Sequence, residues 1–526
     1  DFGLLTSVTQ SGPGYGGGNP SGHTLRYDYE YDRFGNRLSE TQSGTELPSR
    51  QTTYQYDAQG LHRVASLNPK GHRTSLSYDA FGRLVSTVSP LKGRTTSYEY
   101  DGYHRVTKET RPGQGNVTTV GYQLGADCLA ALPTTARCVT TTNADGTQTL
   151  THYDYADREI RQLHRAFDGQ WVAVDTTWDR NGRKRSVSRP HYLSQTSGVS
   201  TVTFEYDLLD REVRKIEPAN RGTFAEFKTA YTVDQVITTD ARGFQRTATY
   251  NVAGQLIRLD EPLGAHQTYR YFPDGKLHST TDAKGNITVI LYDNLGYRSQ
   301  LDDPDLGRWT YRYNAAGELI YKQDANGVVT TLSYDTLGRK TQQVENGEIS
   351  TWRYDENGAL GTLSGFSGYG QQTDYYFNES GLLREQAMTV GGDLFAIQYE
   401  YDAYERVARE LRPDGRPLSD ALAQPTHERF VIESLYNPYG YLSALRRPRT
   451  YSDNVFTSAQ FRREIRPLLD EGISKANAYL QQAQAFERER SRYEQQAQAL
   501  RASEYPMDEE DVGRLTAKRY QQWCDD

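Results

Sequence analysis

Oily side chains are scarce in this chain. Of its 526 residues 36% are hydrophobic, 2 are methionine, and the mean hydropathy is −0.79. A two-layer sandwich hides aliphatic side chains between its sheets, so this shortage argues against a conventional sandwich core. No apolar run approaches the roughly 18 to 20 residues of a transmembrane helix, and no signal peptide is visible. Positive charge is not in excess either. The net charge of −8 argues against a nucleic-acid or anionic-membrane partner. Cysteine is limited to 3, with none in a CxxC. Cys128 and Cys138 could close a small disulfide loop in an oxidising compartment, or stand as two free thiols; they do not make a metal site.

The motifs of chemistry are missing too. There is no GxSxG nucleophile elbow, HExxH zinc motif or Walker phosphate loop. The 10 histidines are scattered, and His104 fills a turn slot that is Gly82 in the preceding unit, Asp210 in another and Glu405 in another. A slot filled so variously reads as turn surface. Asp302-Asp303-Pro304-Asp305 lacks the spaced ligands of a calcium loop and reads as a solvated turn. No catalytic, cofactor or metal residue is assigned, and a non-enzymatic protein is expected.

What the chain has is tyrosine, 40 of them, and a phrase that returns. Tyr292-Asp293-Asn294-Leu295-Gly296, Tyr313-Asn314-Ala315-Ala316-Gly317, Tyr334-Asp335-Thr336-Leu337-Gly338 and Tyr354-Asp355-Glu356-Asn357-Gly358 share five slots, and Tyr271-Phe272-Pro273-Asp274-Gly275 is a variant. Their tyrosines stand 21, 21, 21 and 20 positions apart, the mark of a repeat architecture. Second glycines, such as Gly285 and Gly327, fall midway. Glycine admits positive φ and Asp or Asn bonds its own turn, so each unit predicts two short antiparallel strands and two turns. Alternation puts Trp309, Tyr311 and Tyr313 on one face, with Arg308, Thr310 and Arg312 on the other. Tyrosine buries its ring while its hydroxyl keeps a partner, which suits a curved, largely single-layer sheet held by ladder bonds and cross-strand contacts.

Taken in order, residues 1–25 hold the Gly-rich Ser11-Gly12-Pro13-Gly14 and are expected as an opening loop. The repeats are expected over 26–455, beginning with Tyr31-Asp32-Arg33-Phe34-Gly35 and Tyr78-Asp79-Ala80-Phe81-Gly82, with an insertion near 110–150. Uneven spacing disfavours a closed propeller, which needs equal blades. Over 456–526 the glycine turns give way to Ala, Gln, Glu and Arg, with Phe461, Ile465, Leu468 and Leu469 near helical spacing. A helical hairpin or coiled coil is expected there, packed on the sheet or serving as a plug or partner arm. The chain starts at Asp1 and is expected to be excised from something longer.

The phrase YDxxGRL, as in Tyr78-Asp79-Ala80-Phe81-Gly82-Arg83-Leu84 and again at Tyr334-Asp335 with Gly338 and Arg339, resembles the YD repeat of Rhs and teneurin-type proteins over about residues 25–445. Asp303-Pro304-Asp305-Leu306-Gly307-Arg308-Trp309 looks most like bacterial members, including the insecticidal Tc toxin B component. The resemblance implies an all-β fold, an antiparallel sheet spiralling into a hollow shell around a toxic C-terminal domain. It also implies a secreted protein whose partners are its own cargo domain, a delivery apparatus or a Tc-type subunit. Family members end the shell in a self-cleaving segment with paired DPxG motifs. Here Asp303-Pro304 is single and mid-array, so it reads as a turn, and the cleavage segment and cargo are expected to be absent. Aromatic strand faces leave an adhesive, glycan-binding protein as the alternative.

Overall fold

The computed structural model describes residues 3–11, 24–91, 94–113, 116–219, 223–412 and 430–447. The helical region expected over 456–526 lies outside the described residues. Within them the chain is all-β, apart from single 3-10 turns. It forms 38 strands of one antiparallel sheet, from β1 (Ser7–Ser11) to β38 (Leu442–Arg446). Strands pair with their neighbours in sequence, so the sheet is one long meander. The ladder forks once. The first part of β14 (Trp171–Trp178) pairs with β16 (His191–Tyr192), and its last part with β15 (Lys184–Ser188), which continues into β17 (Thr201–Tyr206).

Two expectations change. The opening loop contains a strand: Ser7–Ser11 runs antiparallel to β2 (Thr24–Tyr31), with Ser7 opposite Asp28 and Ser11 opposite Thr24. All five of its residues are exposed, so it has no apolar face to announce itself in the sequence. Near 110–150 the ladder continues without a gap through β10 (Val117–Leu124), β11 (Arg137–Thr142) and β12 (Gln148–Tyr153). Only the loop 125–136 stands outside the ladder.

The sheet is a single layer. Among the described residues the substantial strand-to-strand contacts join ladder neighbours, and few large side chains are buried, as they would be between two facing sheets. Among the described residues the clusters of buried apolar side chains are small, Leu25, Leu47 and Ala315 in one and Leu150, Leu163 and Ala173 in another. Many other buried positions are short side chains, such as Ala65, Ala387 and Ala396 or Ser39, Ser279, Thr330, Ser350 and Ser364. A layer with no facing partner has little need of aliphatic filling, which accounts for the low hydropathy.

The meander winds back upon itself. Side chains from the early part of the sheet bond residues 261 to 311 positions later, as in Arg312 with Glu46, Arg50 with Glu318, Arg94 with Glu405 and Arg406 with Asp145. One circuit of the sheet therefore takes a little under 300 residues. The circuits meet turn against turn rather than strand against strand. YD turns of the later circuit sit on the opposite, non-YD turns of the earlier one, and the Ala315 N–H donates to the Thr45 carbonyl at 2.9 Å.

The approach is close at Gly44, the last residue of β3 (Arg37–Gly44), where a Cβ would run into the Thr24 carbonyl and the Ala315 side chain. Gly44→Ala is expected to destabilise the protein by about 1–3 kcal/mol through overpacking. Gly121→Ala, where the new carbon would lie 3.9 Å from Thr140 Cβ, is expected to cost well under half of that. Urea unfolding of the two variants checks the difference.

Candidate functional site

The repeated turn is built on a carboxylate. The strand enters it through a register slip at the tyrosine, between Ser77 and Tyr78, Leu291 and Tyr292, and Ser333 and Tyr334. Asp79 Oδ1 then accepts the N–H groups of Phe81 (2.9 Å) and Arg83 (3.0 Å), while the Gly82 N–H bonds the Asp79 carbonyl at 3.0 Å. Asp32, Asp293 and Asp335 bond their turns in the same way, as does Asn314 after Tyr313. The fourth position is left-handed, with φ of +85° at Gly35, +76° at Gly82, +90° at Gly296, +82° at Gly317 and +78° at Gly338. His104, Asp157, Asp210 and Glu405 hold the same conformation, φ 62–63°. His104 is thus a turn residue.

Where an arginine follows the turn, it ties that turn to the next. Arg83 Nε bonds Asp79 at 2.7 Å, its Nη1 reaches the Asp101 carbonyl at 3.3 Å, and its guanidinium lies 4.7 Å from the centre of the Tyr100 ring. Arg339 does the same, pairing with Asp335, forking onto Asp355 at 2.9 and 2.6 Å and covering Tyr354 at 4.4 Å. Tyrosine ties each turn to the one before. Its hydroxyl donates to a main-chain carbonyl of the preceding unit: Tyr31 to Leu5 (2.8 Å), Tyr78 to Arg63 (3.1 Å), Tyr292 to Leu277 (2.9 Å) and Tyr334 to Leu319 (2.8 Å). Tyr313 instead packs its ring against Tyr297, 5.4 Å between centroids.

The turns of the later circuit also form the seam. Lys70, from a non-YD turn of the earlier circuit, lies 3.1 Å from Asp335 and 3.2 Å from Asp355, and Arg50 reaches Glu318 at 2.8 Å. Burial pushes the Asp335 carboxyl up, but the Arg339 guanidinium, the turn amides and Lys70 outweigh it and hold the group at about 2. The Arg339 fork, joined by the Gly361 N–H and Lys70, likewise holds Asp355 well below the usual carboxylate range. Claimed by these cations, Asp355 does not build the ordinary turn. Its φ is +66°, and the loop runs on until its N–H meets the Thr362 carbonyl at 3.4 Å. Sequence reading missed Thr45, Arg50, Lys70 and Asp145. Each acts on a residue more than 260 positions away, and no local pattern marks them.

Where the turns of residues 293–338 meet the earlier circuit, their middle slots are drawn in: Ala315 is 0% exposed, Ala316, Thr336 and Leu337 are half-buried, and Leu295 packs on the cluster of Leu25, Leu47 and Ala315. The same slots on the earlier circuit carry Phe34, Phe81, Tyr103, Tyr155, Leu208 and Val252, all exposed, Phe81 by 74% and Tyr155 by 87%. Cys128 and Cys138 form a disulfide across the loop 125–136. Asp303 turns its own backbone, accepting the Asp305 and Leu306 N–H groups at 3.0 Å. Among the described residues no three His, Cys, Asp or Glu side chains are placed to hold a metal ion.

Two outcomes follow. Tyr334→Phe deletes one hydroxyl bond and is expected to cost about 1 kcal/mol in urea unfolding. Asp335 and Asp355 titrate lower folded than unfolded, so their contribution to stability is present above about pH 4 and lost as the pH falls toward 2. A fall in unfolding free energy on the order of 2 kcal/mol across that window is expected, flattened in Asp335→Asn, and followed by urea titration at each pH.

The RHS Repeat family profile matches residues 78–117, and the Teneurin YD-shell profile matches residues 292–440. No curated protein matches the chain. Among solved structures, TcdB2-TccC3 aligns with a TM-score of 0.52 at 14% identity over 84% of this chain and 31% of its own. The Tc holotoxin pore of Photorhabdus luminescens aligns with a TM-score of 0.52 at 13% identity over 84% of this chain and 32% of its own. The chain thus spans about a third of the length of these structures and shares their shell fold. Its repeats match the RHS and teneurin YD-shell profiles over those two stretches, and its winding sheet is similar in fold to the Tc toxin structures.

Proposed function

We propose that this chain is wall: a non-enzymatic, encapsulating section of a secreted Rhs- or Tc-like toxin shell, which keeps a toxic C-terminal cargo apart from its surroundings until delivery. The observation that carries this reading is the single-layer sheet that winds past a full circuit and locks circuit to circuit through Arg50, Lys70, Arg94 and Asp145. A sheet with no facing layer and a sealed seam is suited to separating two volumes. The exposed row from Phe34 to Val252 occupies slots that are covered elsewhere by a neighbouring circuit. It supports a wall that continues, in the rest of the polypeptide or in a Tc-type partner subunit. The Cys128–Cys138 disulfide favours an oxidising, extracellular setting.

The glycan-binding alternative fits less well, because many ring faces that would stack on sugars are taken. Arg105 covers Tyr122 at 4.0 Å, Arg211 covers Tyr231 at 4.2 Å and Lys340 covers Trp352 at 3.7 Å. The two readings separate experimentally. Co-expressed with a cargo domain fused after residue 526, the chain is expected to shield that cargo from added protease, and scattering is expected to give a radius of gyration well above the ~24 Å of a solid chain this long. Cargo digested as fast as the free domain, or glycan-array binding lost on changing Tyr103 and Tyr155, would overturn the wall.

A further inference from the structure

The loop 125–136 lies over the sheet rather than in the ladder, and little holds it there. Its base is tied by the Gly125 N–H to the Ala136 carbonyl (2.9 Å) and the Ala136 N–H to the Tyr153 carbonyl (2.8 Å). Its body bonds mainly to itself, as in Thr135 N–H to the Leu132 carbonyl and Leu132 N–H to Thr135 Oγ1. Between the base and the tip, few ties reach the sheet: the disulfide from Cys128 to Cys138 on β11, one hydrogen bond of 2.9 Å from Arg161 Nη1 to the Ala130 carbonyl, the Leu129 backbone set against the His152 ring, and Ala130 resting on Leu150, Leu163 and Ala173. Ala130 is itself left-handed, with φ of +54°, a conformation an alanine holds only under constraint.

Beneath the loop lies a group that fits a closed state poorly. His152, opposite Cys138 in the ladder, is 0% exposed, and neither of its ring nitrogens has a hydrogen-bond partner. An imidazole buried in this way forgoes bonds that water would make, so the covered state carries a standing penalty that lifting the loop would relieve. Burial, with Arg161 alongside, pushes its pKa down and keeps it neutral despite Asp175 and the Leu129 backbone of the loop above it. Arg161 and Asp175 continue the row across the sheet, paired at 2.5 and 2.7 Å, with His191 3.7 Å from Asp175.

We propose that the Cys128–Cys138 disulfide is a redox latch: its reduction by a thiol lets the 125–136 loop lift from the sheet, uncovering His152 and the part of the Leu150, Leu163 and Ala173 floor that Ala130 covers, while the ladder stays intact. The chemistry is thiol–disulfide exchange. A reductant thiolate attacks one sulfur and expels the other as a cysteine thiolate. A second reductant thiolate then resolves the mixed disulfide. The protein gains two electrons and two protons as two cysteine thiols, and the reductant leaves as one disulfide. Both cysteines are buried, Cys128 by all but 4% and Cys138 by all but 1%, so the reductant acts during brief openings of the loop. The inference does not depend on the encapsulating role.

Hydrogen exchange on the full chain, with Cys524→Ser to leave one cysteine pair, tests it before and after phosphine or dithiol treatment. On reduction, amides of the loop, those of Cys128, Ala131 and Thr135 included, are expected to lose protection about tenfold or more, and exchange at the His152 ring C2–H to quicken alongside. Strands Gln148–Tyr153 and Glu159–Arg165 are expected to keep their backbone protection. Cys128→Ala with Cys138→Ala should reproduce the open state without reductant. Arg161→Gln with the disulfide intact should leave the loop closed. An unchanged loop after reduction would overturn the latch. So would loss of protection across the whole ladder, in reduced protein or in the double variant, because the disulfide would then be a staple of the fold.

Discussion

One aspartate carboxylate, bonded to two backbone N–H groups of its own turn and to the guanidinium five positions after the tyrosine, is the contact on which this sheet depends. In the unit at Tyr78 a single Oδ1 accepts the Phe81 and Arg83 amides, and the other oxygen fixes Arg83. That arginine then lies over the tyrosine of the following unit, and the Tyr78 hydroxyl reaches back to the unit before. Turn geometry and lateral cohesion therefore come from the same few atoms. Each link is worth on the order of 1 kcal/mol, and stability accrues by neighbour-to-neighbour repetition rather than through a central core.

A single layer built this way faces two hazards. It has no partner sheet to shield its faces, and its rim of turns could slide against anything. The first is met by tyrosine, tryptophan, arginine and threonine, which pack half-buried with polar tips satisfied, as in Trp309 stacked on Tyr311 with Arg298 above it. The second is met at the seam, where the YD turns of a later circuit bring their middle slots and charges onto the non-YD turns of an earlier one. Lys70 set between Asp335 and Asp355 fixes that register electrostatically. Gly44 and Ala315 fix it sterically, since nothing larger fits where the circuits touch.

Most of the local structure could be read from residue order. The strands, the glycine turns and the aromatic face of Trp309, Tyr311 and Tyr313 follow from period-2 alternation and from the short list of residues that tolerate φ near +80°. The short strand Ser7–Ser11 escaped because it buries nothing, and a strand without an apolar face leaves no alternation to detect. The turn after Tyr354 escaped for the opposite reason. Its residues carry the usual phrase, but Asp355 is drawn to Arg339 and to Lys70 from another circuit, and a carboxylate so engaged no longer organises its own turn.

The chain's order of residues by itself determined the unit: which side chain turns the backbone, which stacks on it, how many residues pass before the next, and that too little oil is present for two layers. Those are matters of neighbours within about twenty positions, where covalent connection limits the choices. Only the tertiary structure decided how far the sheet runs before it meets itself, which slots become seam and which stay open, and that Cys128 and Cys138 clamp a loop over a buried histidine. Each of these depends on small twists added over many strands and on contacts between residues remote in the chain, and neither quantity is written in any single repeat.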